Sequence, residues 1–206
     1  MGFSITLLII IVTALVSIGA WQDRRVFLAL LFEPFVIRAG GEWHRFVTHA
    51  FIHADGYHLF VNMFVLYMFG ANVERLYQGL TDGSGALAFS GLYLGGILFS
   101  SLVGYRRHIH DPGYRAVGAS GAVAAVLFAH ILMLPTQSIY LMFIPIPIPS
   151  FVFGILYLAY ERYMDKRGGD NVAHDAHFHG ALFGVVYTAI VEPRLVLELG
   201  YLQGGL

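Results

Sequence analysis

Three groups of polar residues lie on otherwise apolar stretches, and their types could do chemistry together. The first is Ser120, within "AVGASGAVA" at 116–124. A serine hydroxyl is a weak nucleophile until a base takes its proton, and histidine is the usual base. The second is "HLFVN", where His58 and Asn62 stand four apart. That spacing puts both on one face of a helix, and both can donate hydrogen bonds. The third is "HDAHFHGALFG" at 174–184, which carries His174, His177 and His179. His177, Gly180 and Gly184 fall on one helical face, so a glycine stripe would bring His177 against a neighbouring helix, while His179 points elsewhere. Ser120 as nucleophile, His177 as base and His58 with Asn62 as donors to an oxyanion make an acyl-transfer constellation. Each group also has a plainer reading. Ser120 can be a packing residue among Gly118 and Gly121, His58 and Asn62 a polar bridge between helices, and the histidines a solvated helix cap.

The elements that must position these groups are set by charge. Of 206 residues, 57% are hydrophobic and only 12% charged, well below the share that keeps a soluble domain dispersed. A bilayer is the better solvent. The net charge of −1 suggests neither a nucleic-acid partner nor a basic peripheral surface. The absence of cysteine removes disulfides, thiolate metal sites and a cysteine nucleophile. About 20 apolar residues cross a hydrocarbon core as a helix. Charge-free windows at 3–21, 56–73 and 83–105 give three crossings. The uncharged block 116–160 gives two more, divided after Pro135 and by "PIPIP" at 145–149, which cannot lie inside a helix. Pro149 is placed to open the fifth helix. A sixth runs over roughly 177–193. The first segment is read as a retained helix rather than a cleaved signal, because no Lys or Arg precedes it. Residues 22–55 are too apolar for a solvated loop and read as structured and partly embedded, with Trp43 at interfacial depth. The expectation is an all-α membrane protein of six transmembrane helices in one domain over 1–206, with a partly embedded first loop.

The order of the motifs carries a resemblance. "WHRFVTHAFIH" precedes the second helix, "HLFVN" begins it and "VER" ends it. "GASG" opens the fourth helix, and "AHFHGALFG" lies in the sixth. In this the chain resembles the rhomboid intramembrane serine proteases over nearly its whole length. The resemblance implies a six-helix bundle and a Ser–His dyad with no third carboxylate. Ser120 is the implied nucleophile, His177 the general base, and His58, Asn62 and the Ser120 N–H the oxyanion hole. Gly118, Gly121, Gly180 and Gly184 are the implied packing residues, and Arg45 and Glu74-Arg75 match structural positions. The implied reaction is hydrolysis of peptide bonds in or near the transmembrane helices of protein substrates, without cofactor or metal. The family often has an aromatic residue four after the serine, stacked on the histidine; here that position is Ala124, with Phe128 one turn further. The expected location is a lipid bilayer, the bacterial inner membrane, with the site on the extracytoplasmic side. The loops on that side hold Arg24, Arg25, Arg38, Arg45, Arg106, Arg107, Arg115, Arg162, Lys166 and Arg167, against Arg75 and Arg194 opposite. The positive-inside rule argues the reverse orientation. The family orientation is preferred because the first loop reads as embedded structure.

Two rival readings belong beside this one. His49, His53 and His58 with the histidines at 174–179 could ligate a metal, although no HExxH motif is present and no carboxylate lies within an apolar run. A non-catalytic rhomboid-like protein that binds membrane clients is the other. The presence of both Ser120 and His177 weighs against it.

Overall fold

A computed structural model describes residues 4–81, 83–141, 144–170 and 172–195. Six long helical stretches occur among them. They are α1 (Ile5–Gln22), α5 (Gly56–Val65) running through a π turn into α6 (Ala71–Leu80), α7 (Gly85–His108), α8 (Ser120–Met133), α9 (Ser150–Arg167) and α10 (His174–Val191). Of these, α1 and α7 are long and apolar enough to cross a membrane, and α8 is apolar but shorter.

The faces of these helices are reversed relative to a water-soluble bundle. On α1 the residues turned inward are Thr6, Thr13, Ser17 and Ala20, while Ile11 and Leu15 stand 56% and 67% exposed. Ile155, Val186 and Ile190 are similarly bare on α9 and α10. Contiguous apolar surface of this kind suits hydrocarbon, and small or hydroxyl side chains suit the contacts between helices. Glu74 of α6 fixes the start of α1. Its carboxylate accepts from the Ile5 and Thr6 amides at 2.8 and 3.1 Å and from the Ser4 and Thr6 hydroxyls at 2.9 Å each. Two amides that a helix start leaves unpaired are thereby satisfied. The second helix outruns its expected end at residue 73 because this acidic residue lies inside the helix with its partners supplied by α1.

The long first loop is structured, as expected, by three short helices: α2 (Arg24–Leu30), α3 (Pro34–Gly40) and α4 (Arg45–Thr48). Buried Arg45 ties them together. It donates to the carbonyls of Leu28 and Leu31 at 2.8 Å each and pairs with Glu42 at 2.7 Å and Glu33 at 3.3 Å. Trp43 is 60% exposed and stacks on Phe46.

One element departs from an all-helical expectation. The proline-rich stretch forms an antiparallel hairpin, β1 (Ser138–Leu141) against β2 (Ile144–Pro149), with Ile139 opposite Ile148. Proline lacks an amide donor, and a two-stranded ribbon, all edge, tolerates it. Pro149 is the N-cap of α9 rather than its first residue.

Helix α8 lies at the centre, with every residue from Gly121 to Ile131 buried. Small residues let its neighbours approach to backbone contact. A Cβ on Gly96 of α7 would lie 3.0 Å from the Ala122 Cα. On Gly180 of α10 it would lie 2.1 Å from the Gly121 carbonyl oxygen, and on Gly184 2.2 Å from that of Ala125.

Candidate active site

The segment leading into α8 is held by the first loop. Phe32 and Ala116 exchange backbone hydrogen bonds at 3.0 Å in each direction, and the Gly118 amide donates to the His49 carbonyl at 2.9 Å. Gly118 has φ +104°, and a Cβ there would come within 2.7 Å of the His58 ring. Only glycine adopts that backbone and admits His58 so closely. Ser120 follows as the first residue of α8. Its amide therefore has no partner within the helix and is free to donate.

His53 completes this support. Its Nδ1 lies 3.0 Å from Ser17 Oγ, which gives its own proton to the Phe51 carbonyl at 2.9 Å. Nδ1 must therefore donate, and Nε2 accepts from the Ala119 amide at 3.4 Å. That arrangement requires a neutral ring. Burial pushes His53 down to about 3, with the neighbouring histidines adding to the effect. His49, bonded to Ser101 Oγ at 2.8 Å, is pushed by burial to about 4. Both histidines thus position backbone, and the expectation that they could ligate a metal with His58 finds them engaged otherwise.

A cavity of about 1240 Å³ opens beside α8, and Ser120, His177, His58 and Asn62 all line it. Asn62 is buried and donates one amide hydrogen to the His58 carbonyl at 3.0 Å. Its second hydrogen remains available. Ser120 Oγ and His177 are brought to the same cavity without a hydrogen bond between them. Such bonds often form only when substrate is bound. His179 turns away, its Nδ1 bonding the Asp175 carbonyl at 2.7 Å. Gly121, Gly180 and Gly184 sit at helix crossings, and Gly118 sits against His58.

Position 124 is occupied differently from the expected aromatic. Ala124 is buried in an apolar cluster with Leu127, Phe128 and Ile131 of its own helix, and with Phe153 and Tyr157 of α9. Phe128 packs against Tyr157 with the rings tilted by 54° and their centroids 5.5 Å apart. The polar partner of His177 is instead Glu161 of α9, whose Oε1 lies 3.2 Å from His177 Nδ1. Glu161 Oε2 lies 2.5 Å from His174 Nδ1. The resemblance implies a dyad without a third carboxylate, yet Glu161 lies buried in the bundle beside both histidines. Donor atoms of Glu161, His174 and His177 lie within 4.8 Å of one another. Residue 161 follows directly on the uncharged block, where it reads as the end of a span. Its partners are 13 and 16 residues away, so only the tertiary fold reveals the contact.

The Rhomboid domain model matches residues 40–194, and the chain belongs to this family. It is 30% identical over 160 residues to RHOMBOID-like protein 12, mitochondrial, of Arabidopsis thaliana, covering 74% of this chain and 47% of that protein. It is 32% identical over 166 residues to Rhomboid-like protein 11, chloroplastic, of the same plant, covering 73% and 53%. With the human Presenilin-associated rhomboid-like protein, mitochondrial, identity is 29% over 143 residues, covering 67% and 35%. The chain spans about half or less of the length of these curated relatives. The family and the apolar helices mark a membrane protein. Relatives named mitochondrial and chloroplastic do not fit the expectation of a bacterial inner membrane.

Proposed function

We propose that this rhomboid-family chain is an intramembrane serine endopeptidase that hydrolyses peptide bonds in or near the transmembrane helices of protein substrates. In this reading the six helical stretches all cross the bilayer as one domain, and the cavity opens toward the extracytoplasmic side. Ser120 Oγ attacks the scissile carbonyl carbon while His177 Nε2 takes its proton. The Ser120 amide, His58 and Asn62 hold the oxyanion. His177 then protonates the leaving amine, and water releases the acyl group from Ser120. Helical amides shield their carbonyls, so the substrate unwinds locally, and small or helix-breaking residues near the cut favour this. The observation that carries the reading is the convergence of Ser120, His177, His58 and Asn62 on one cavity.

The test is cleavage of a membrane-embedded model substrate in proteoliposomes by wild-type protein and Ser120→Ala. Cleavage lost in Ser120→Ala, with an unchanged melting profile, supports the reading. Cleavage retained in that variant refutes it. Binding of the substrate by both proteins without cleavage would favour a client-binding role. A second reading, metal-dependent hydrolysis, is favoured by the Glu161, His174 and His177 donor set, which is of the type zinc hydrolases use. Activity abolished by a chelator and restored by zinc distinguishes it.

A further inference from the structure

We propose that Glu161 is the positioning residue for His177, holding its ring in the tautomer that leaves Nε2 free to act as a base. The inference rests on the reading of Ser120 and His177 as nucleophile and base. An imidazole in an apolar cavity can carry its single proton on either nitrogen, and only the form protonated at Nδ1 can accept a proton at Nε2. An ionised carboxylate accepts and never donates. Glu161 Oε1, 3.2 Å from His177 Nδ1, therefore selects the Nδ1–H form. It also fixes the rotation of the ring, a task Ala124 cannot perform because it offers no aromatic face.

The carboxylate is itself prepared for this. Glu161 is 4% exposed, and a buried carboxylate needs a compensating charge. His174 lies against it. Its Nδ1 faces Glu161 at 2.5 Å and its Nε2 faces Asp170 at 3.1 Å, so the ring is bracketed by two carboxylates. His174 holds Oε2 of the carboxylate, which leaves Oε1 turned to His177 Nδ1. When the serine attacks, the proton leaves Ser120 Oγ for His177 Nε2, and the imidazolium formed is stabilised through its Nδ1–H by Glu161. No proton passes to the carboxylate.

The test is the saturation kinetics of Ser120 labelling by a fluorophosphonate, run with a chelator present on wild type, Glu161→Gln, Glu161→Asp and Ser120→Ala. For Glu161→Gln the maximal labelling rate should fall about 100-fold or more with the half-saturation concentration unchanged, since a neutral amide no longer selects the tautomer. Glu161→Asp should recover part of that rate. A merely structural role would lower the labelled fraction or the melting temperature and leave the rate of the folded fraction alone. Histidine 15N chemical shifts of the wild type provide a readout that needs no folded Glu161 variant. A protonated Nδ1 on His177 is expected, and a protonated Nε2 with bare Nδ1 overturns the proposal. A Glu161→Gln rate within twofold of wild type, with Ser120→Ala unlabelled, also overturns it while leaving the nucleophile assignment standing. A wild type that does not label overturns both.

Discussion

Gly180→Ala should inactivate the protein by separating the two helices that carry Ser120 and His177. A Cβ at position 180 would lie 2.1 Å from the Gly121 carbonyl oxygen, 2.7 Å from its carbon and 2.9 Å from its Cα. These are backbone atoms, so no side chain can rotate away. Ordinary carbon–oxygen contact needs roughly 3.2 Å or more, so α8 and α10 must part by about 1 Å locally; overpacking of this kind costs typically 1–3 kcal/mol. Gly121 is next to Ser120, and Gly180 is one helical turn from His177, so the displacement falls on the pair that must meet. A misplacement of about 1 Å costs on the order of 100-fold in rate. The assay is fluorophosphonate labelling of detergent-purified protein alongside a thermal melt, with Gly19→Ala, which meets nothing within 4 Å, as control. The expected result is a melting temperature lowered by a few degrees and labelling slowed about 100-fold, with the control unchanged. Wild-type labelling by Gly180→Ala would refute the close-approach reasoning.

Other outcomes follow from the same geometry. His58→Ala should slow labelling about 100-fold through loss of an oxyanion donor, and Asn62→Ala somewhat less because half of its donating capacity is spent on the helix; wild-type rates in both would remove them from the oxyanion hole. His49 and His53 are held neutral in the fold at values of about 4 and 3. Between pH 6.5 and these values only the unfolded chain takes up protons there, so their stabilisation is complete above pH 6.5 and is lost on acidification. The expected loss is on the order of 3 kcal/mol for His49, seen as a melting temperature that falls from pH 7 to pH 4.5 and falls less in His49→Asn. Glu74→Ala leaves the Ile5 and Thr6 amides without their acceptor and should cost about 1–2 kcal/mol by denaturant titration. A C-terminal reporter active only outside the cytoplasm should stay silent in a bacterial host, and high activity would reverse the proposed orientation.

Much of this molecule is legible in its sequence because charge is so costly in hydrocarbon. The charge-free windows place five of the long helical stretches among the described residues, and apolar residues in 22–55 mark the first loop as structured. Ser120, His58, Asn62 and His177 stand out because polar groups on apolar helices are rare. Two of the misses have a common cause. Glu74 and Glu161 read as the charged ends of spans, whereas each lies within a helix and is satisfied by partners on another helix, α1 for Glu74 and α10 for Glu161. Such compensation depends on tertiary packing, and neither local spacing nor hydropathy records it. The hairpin at 138–149 was hidden for a different reason, since proline rules out helix interior without naming what replaces it.

The proposed proteolysis depends on Ser120 acting as a nucleophile activated by His177. It is tested by the site of fluorophosphonate attachment, read by peptide mass spectrometry of the protein in lipid nanodiscs. The expected result is a single phosphonyl adduct on Ser120, absent in His177→Ala. An unmodified Ser120, or an adduct that forms at the same rate without His177, would contradict it.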